Sequence, residues 1–539
     1  MSKKVVIKRQ VSLVTEYGIK YAVDVITEHF GNLVSKVCEC LLRRGPLSRS
    51  NIKRYTELSD DQIKNSLLVL IQHNCVQGFA VEQPGGFGEA SRVVTQYLVL
   101  FDNILHRMRF GKFMTIVSQD LDEECIDLLK GLLEHGRLTL KQMFDRVNSA
   151  VREGKLVTLD SVQETLIKLV TARYVERCPA PEPVLAPPPP KDNASTQKRG
   201  AKTQQIEEPK TREQEVLEAA VPVEAIRFSV ITNTEPDVDG EKKEIKSSTV
   251  TAREKRKYDA LESDEFGAAE TVVYRANFEE FIRRLRHKAC VDSVRARLDD
   301  GAATVLSAML DATRNAETEV KTKKSVSLSM SSIYEEVIKN EAGRNMTLEH
   351  LRASLAELSN PPVVKGSDDS YSIDFEKIIE LAHTDEVESV VLKRYGRDAY
   401  RIFRLLSKEG RLMETEKIAD ATFVGKKDAP KVLYKLWKDD YLHMEKLVVA
   451  AARQMQFLLW KVKKETLWKH VLDEMFHAAL NLRIRQATEV DKEKELLLLP
   501  AEKRTGALHD RNNRLRNVKI LIQSSLVKLD DSIMLFYDF

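Results

Sequence analysis

RGPLSRSNIKRYTELSDDQIKNSLLVLIQHNCV, Arg44 to Val76, is the stretch on which the reading of the chain turns. Ser59 stands where an N-cap belongs, and Ile63, Leu67, Leu70 and Ile71 behind it recur on one helical face. Ser48–Tyr55 reads as a short helix before it, and Leu33–Leu42 as a longer one before that. After it, Val76, Phe79 and Val81 begin a strand. Pro84, Gly85, Gly86 and Gly88 make a turn, and RVVTQYLVL (Arg92–Leu100) returns. Helix, helix, helix, hairpin is the order of a winged helix.

The same order recurs outward from this stretch. A second copy runs through Cys125–Leu133, a helix capped by Thr139 that carries Met143, Phe144 and Val147, then Asp160–Thr171 and a strand at Tyr174–Arg177. Prolines follow at once and are expected to cut off any long wing. A third copy reads as Ser331–Ile338, Thr347–Leu358 and the turn-centred VVKGSDDSYSI, Val363–Ile373. A fourth reads as Tyr400–Leu406, Thr415–Ala421 and Asp428–Trp437, with YLHMEKLVV (Tyr441–Val449) and MQFLLWKV (Met455–Val462) as its wing. Any one copy could be an ordinary three-helix core; four make chance a poor account. Beyond them, Lys463–Gln486 is helical in composition. From Leu508 a near-heptad seam runs through Leu515, Val518, Ile522, Leu529, Ile533 and Phe536. LLLLP (Leu496–Pro500) separates the two arms of an expected helical hairpin or coiled coil.

Between the second and third copies lie eight of the 16 prolines, from Pro179 to Pro209, in a polar setting. Proline neither continues a helix nor donates to a sheet, so this reads as a linker. The expected fold is mainly α with small β wings: four tandem winged helices and a C-terminal hairpin. The expected boundaries are a basic tail at 1–16, winged helices at 17–115 and 116–178, a Pro-rich, charged, flexible linker at 179–264, winged helices at 265–384 and 385–462, and the hairpin at 463–539.

With 539 residues, 42% of them hydrophobic and 31% charged, the chain has apolar material for several cores, about three or four domains by length. Its net charge of +3, from 85 basic and 82 acidic residues, names no partner. The six cysteines form no CxxC pair and read as buried free thiols. No apolar run approaches the roughly 18 residues of a membrane span. The sequence has no GxxxxGK[ST] loop, no HExxH and no compact acidic cluster to gather Mg²⁺. No cofactor is implied. His73, His135 and His383 fall at helix ends or on helical faces and read as structural.

The third helix of a DNA-reading module meets base edges with its N-terminal residues. Here that position carries Asp60 and Asp61 in the first copy, Asp160 and Glu164 in the second, and Glu349 in the third. Carboxylates there suit the helix dipole and discourage phosphate. The fourth copy differs. Lys426 and Lys427 precede its third helix, and Lys431, Lys435 and Lys438 follow at spacings that place them on one face. Tyr434 and Trp437 are interleaved, either as stacking partners or as core. The lysines read either as a phosphate-contacting edge or as a solvated face. Arg49, Lys53 and Arg54 on the first copy's second helix form a lesser basic candidate. Cations of this kind position a nucleic acid without reading its sequence. Arg253–Lys257 is a short basic cluster of nuclear-import type.

Four strings carry a family resemblance: EHFGNLVSKVCECLLRRGPL (Glu28–Leu47), YVERCP (Tyr174–Pro179), ESVVLKRYGRDAYRIFRLL (Glu388–Leu406) and KLDDSIMLF (Lys528–Phe536). With the order of modules, they make the chain resemble the third-largest subunits of RNA polymerase III, plant forms above all. The resemblance runs from about Tyr17 to the C-terminus. It implies a nuclear, non-catalytic subunit that joins two smaller polymerase subunits in a trimer on the clamp of the largest. It further implies a part in initiation and promoter opening, contact with the TATA-binding initiation factor, and transfer RNA and 5S ribosomal RNA among the products. The family supplies no catalytic residues to carry over, so the DNA-contact candidates rest on charge alone. The rival reading is a free-standing winged-helix regulator, which calls for basic third helices in more than one copy. A helical scaffold of the proteasome-lid type is a further alternative, and the module at Leu33–Leu100 argues against it.

Overall fold

Ser59 accepts a hydrogen bond from the Gln62 amide (3.2 Å), and the Gln62 side chain accepts one from the Ser59 amide (3.0 Å). Two of the amides left unpaired at this helix start are thereby satisfied. A computed structural model of the chain describes residues 14–83, 92–150, 158–185, 212–230, 272–314, 322–359, 363–366, 370–449, 455–500 and 505–539. It is mainly helical, with four three-stranded sheets among these residues. The chain divides into two compact units, one of residues 22–281 and one of residues up to 21 with 282–539. The Gly-rich turn at 84–91, residues 1–13 of the expected basic tail, the import-type cluster and the four-proline run lie outside the described residues, whereas Glu16 of that tail already begins a helix.

In the unit of residues 22–281, helix α1 (Glu16–Phe30) leads to α2 (Asn32–Arg44), α3 (Arg49–Thr56) and α4 (Asp60–Gln72). Val37, Leu41, Ile52, Ile63, Leu67 and Leu70 are buried between these last three helices. Strands β1 (Val76–Gln83) and β2 (Arg92–Val99) pair antiparallel beside them. Helices α5 (Phe101–His106) and α6 (Phe110–Asp120) follow. The next set comprises α7 (Glu123–His135), β3 (Leu138–Thr139), α8 (Leu140–Ala150), α9 (Leu159–Thr171) and β4 (Val175–Arg177). Gly136 joins the two sets. Its φ is +81°, and a Cβ there would stand 2.0 Å from the Gln72 carbonyl oxygen. The missing side chain lets Gln72 Nε2 donate to the carbonyls of His135 (3.0 Å) and Arg137 (2.6 Å).

Two features depart from the sequence expectation. Residues 179–185 and 212–230 fall within the expected flexible linker, yet they form β5 (Val184–Leu185), α10 (Arg212–Ala220) and α11 (Glu224–Arg227). β5 adds to β1 in parallel, and Val216 of α10 is buried against Phe79, Val81 and Leu98. The second sheet is also completed from beyond the linker: β6 (Val273–Ala276) pairs with both β3 and β4. The prolines after Arg177 deny the second helix set an adjacent wing, and a strand about a hundred residues later in sequence takes the place. Arg227 and Arg275 both bond the carboxylate of Glu176, which is 2% exposed, and so fasten α11 and β6 to β4.

The other unit takes in most of α12 (Phe278–Arg297), from Ile282 onward. Helix α13 (Asp300–Thr313) follows it without a clear signal in the sequence, although Asp299 caps it through the Ala302 amide (2.7 Å). With α14 (Met330–Lys339) and α15 (Leu348–Leu358) it encloses Leu306, Met309, Ile333 and Leu355. Strands β7 (Leu328–Ser329), β8 (Val363–Lys365) and β9 (Ser370–Ile373) form the sheet, with β9 central. The 21-residue α16 (Phe375–Tyr395) leads to α17 (Arg397–Glu409), β10 (Met413–Glu414), α18 (Thr415–Thr422), α19 (Ala429–Lys438), β11 (His443–Val449) and β12 (Met455–Lys461). These follow the expected bounds of the fourth copy closely. Helices α20 (Lys464–Lys492), α21 (Lys494–Leu498) and α22 (Ala507–Tyr537) end the chain, α20 packed along α22. Leu515, Ile522, Ile533 and Phe536 of the expected seam are buried. His383 on α16 is also buried, its Nε2 bonded to the Leu535 carbonyl (2.7 Å) and its ring stacked on Phe536.

Candidate nucleic-acid interface

Helix α19 turns Ala429, Leu433 and Leu436 into its module's core, at intervals of four and three. That periodicity fixes the opposite side as solvent-facing, and Lys431, Lys435 and Lys438 are exposed there, as are Lys426 and Lys427 in the preceding turn. All five lysines are thus on one module and open to water. They are not equally free. Lys426 Nζ lies 3.5 Å from Asp420 Oδ1, and Lys431 Nζ lies 3.0 Å from Asp428 Oδ1. Lys435 sits 5.3 Å from the centroid of the Tyr395 ring. Lys427 and Lys438 have no carboxylate within 4 Å among the described residues.

Aromatic groups frame the lysines. Phe423 is 90% exposed and holds a left-handed backbone (φ +56°) at the end of α18. Tyr434 is 56% exposed and packs on the half-buried Trp437, with ring centroids 5.4 Å apart. Tyr434 is therefore not core. Beneath the helix, Tyr395 donates to Asp439 (2.6 Å) and Tyr441 donates to Glu474 (2.7 Å). Burial, reinforced by the neighbouring carboxylate, pushes both phenols well above their ordinary range, so they act as fixed donors. Arg394 bonds the same Glu474 at 2.7 Å. The C-terminal end of α19 is thereby tied to α16 and α20.

Arg49, Lys53 and Arg54 lie on α3, in the other unit, and are exposed. Arg49 Nε is 3.3 Å from Asp60 Oδ1. The carboxylate at the start of α4 thus holds the preceding helix as well as its own dipole. Sequence spacing could have found Asp428–Lys431, which are three apart on one helix, but it gave no sign of Asp420, Tyr395 or the exposure of Phe423.

Three family models match the chain. One for RNA polymerase III subunit RPC82 covers residues 164–382, one for its helix-turn-helix domain covers 20–81, and one for the POLR3C C-terminal winged-helix domain covers 387–462. Across these three segments the chain is similar to RNA polymerase III subunit RPC82. The last of these models contains all five lysines, and the helix-turn-helix model contains Arg49, Lys53 and Arg54. Similar proteins include the DNA-directed RNA polymerase III subunit RPC3 of Bos taurus, 25% identical over 504 residues, or 90% of this chain and 86% of the relative. The Homo sapiens protein of that name is 25% identical over 507 residues, with the same coverage. The Dictyostelium discoideum protein is 30% identical over 184 residues, 31% of this chain and 28% of its own.

Proposed function

We propose that this chain is a non-catalytic subunit of RNA polymerase III in the nucleus, a scaffold and DNA guide in initiation and promoter opening for tRNA and 5S rRNA synthesis. Each helix set with its sheet serves as a winged helix, four in tandem. Most of their surface docks onto polypeptides: two smaller subunits of a trimeric subcomplex, the clamp of the largest subunit and the TATA-binding initiation factor. Lys426, Lys427, Lys431, Lys435 and Lys438 meet the DNA backbone, with Arg49, Lys53 and Arg54 as lesser contacts. The observation that carries this reading is the asymmetry of the third helices. α4 begins with Asp60 and Asp61, whereas α19 alone exposes a lysine row. That row also favours a second reading, a free-standing regulator.

Two measurements separate them. The tagged chain should co-purify with polymerase subunits from nuclear extract. The purified chain should bind DNA without sequence preference, and log Kobs should fall with log salt by about 0.9 per phosphate neutralised. Tight, sequence-selective binding by the lone chain, with no polymerase subunits recovered, would favour the regulator.

A further inference from the structure

Helix α17 carries a second cationic surface. It buries Ala399, Ile402, Phe403 and Leu406. On its outer side Arg397, Arg401, Arg404 and Lys408 recur at intervals of four, three and four, all exposed. Such spacing aligns them along one face, about 16 Å from first to last at 1.5 Å per residue. Arg397, Arg401 and Lys408 have no carboxylate within 4 Å among the described residues. Arg404 reaches only to 3.9 Å from Glu388.

The row runs into an open cleft of about 730 Å³, lined by residues of α12, α16, α17 and α20. Val294, Leu298, Ile378 and Leu381 line it with apolar surface, and Leu298 is 42% exposed. Asp385 at the cleft is already taken by Arg297, whose Nε is 2.9 Å away. The unmatched charge is therefore positive and lies along α17, and its Arg404 and Lys408 end borders the apolar floor.

We infer that the α17 row and this cleft form a docking groove for an acidic peptide segment that also carries apolar side chains. In an extended peptide, alternate residues point the same way about 6.6 Å apart. The step from Arg397 to Arg401 is about 6 Å along the helix. Carboxylates at every second residue can follow the row, while the residues between them reach Leu298 and Leu381. A sugar-phosphate backbone fits less well. It has nothing to place on the apolar floor, and it would meet Asp385 and Glu388. This surface does not depend on the lysines of α19.

The test uses the full-length chain and three labelled probes: a ten-residue peptide alternating Glu and Leu, its Glu/Ser counterpart, and a single-stranded oligodeoxynucleotide of equal charge. The Glu/Leu peptide should bind best. R401E/K408E should weaken it at least about tenfold, because two surface attractions, each worth up to about fivefold, become repulsions. L298D should weaken the Glu/Leu peptide and leave the Glu/Ser peptide unchanged. R397E, at the helix start, repeats the charge test if the double variant fails to fold by circular dichroism. Equal binding of all three probes would overturn the proposal in favour of a general anion surface, and preference for the oligonucleotide would overturn it in favour of nucleic acid. Indifference of the Glu/Leu peptide to charge reversal, or no binding of it, would also overturn it.

Discussion

The lysine edge on α19 is partly occupied by its own aspartates, and removing them is the most direct perturbation of the proposed DNA contact. In D420N/D428N, Lys426 and Lys431 lose the carboxylates now 3.5 and 3.0 Å away. Both pairs lie in solvent, with every partner more than 60% exposed. Exposed pairs of this kind contribute about 0–1 kcal/mol. At 1.4 kcal/mol per tenfold, each can suppress phosphate binding by at most about fivefold, and the two together by about 25-fold. Asp428 makes no side-chain capping bond, and Asn is a good N-cap residue, so the helix itself should persist. Binding of a random-sequence duplex to the full chain, followed by fluorescence anisotropy at about 50 mM salt, should tighten by some 3–25-fold. The gain should shrink as salt rises, because the Debye length falls to about 8 Å by 0.15 M. The complementary K427A/K438A variant should weaken binding and flatten the salt slope by about 0.9 for each phosphate no longer neutralised. Unchanged or weaker binding by a folded D420N/D428N would show that phosphate does not compete for these lysines. The DNA-binding surface would then have to lie elsewhere.

Three further outcomes follow from the fold. Gly136→Ala forces a Cβ against backbone at 2.0 Å and adds a left-handed penalty, so it should destabilise the α4–α7 corner by about 3–5 kcal/mol. Gly45→Ala, whose φ is +79° in open space, should lose only about 1–2 kcal/mol, and hydrogen exchange at the two sites reads the difference. Burial, with Arg107 nearby, depresses His73 to about 4. The unfolded chain takes up that proton near 6.5 and the folded one resists until about 4. Stability of the first helix set is therefore full above about pH 6.5, falls by about 2–3 kcal/mol towards pH 4, and should lose this dependence in His73→Gln, as read by amide exchange. Glu176→Ala leaves Arg227 and Arg275 without their buried carboxylate. It should cost about 3–5 kcal/mol and expose residues 212–230 to limited proteolysis.

Local chemistry explains which parts were legible in the sequence. The fourth helix set is legible to within a few residues, because its caps, apolar period and strand alternation agree over one continuous stretch. α13 escaped because ATVLSAML is apolar around most of its circumference and presents no clean amphipathic stripe. β6 escaped for a different reason. Four residues, VYRA, carry little signal, and their partners β4 and β3 lie about 100 and 135 residues away in sequence. The strap formed by β5, α10 and α11 has the composition of a linker. Its order comes from long-range bonds, such as the Ala80 amide to the Pro183 carbonyl (2.9 Å), which no local rule registers. At the candidate interface the cations were visible as letters. Their pairing was not, since Asp420 reaches Lys426 across a turn and Tyr395 comes from another helix.

Those pairings bear on the affinity the lysine edge can reach. Between residues 420 and 440 stand Lys426, Lys427, Lys431, Lys435 and Lys438 against Asp420, Asp428, Asp439 and Asp440, five positive charges and four negative, a balance of +1. A surface so nearly neutral releases few counterions on meeting DNA and cannot hold it tightly alone. It suits a part whose position on the template is fixed by neighbouring polypeptides. The α17 row differs. Arg397, Arg401, Arg404 and Lys408 face Asp398 and Glu409 within the same helix, four against two, and the surplus borders an apolar cleft. Excess charge beside apolar surface offers a peptide both attraction and burial, whereas balanced charge on an open helix offers DNA only a loose contact. If both surfaces act as argued, the unlike charge settings of two helices in one module divide its work between anchoring to protein and brushing nucleic acid.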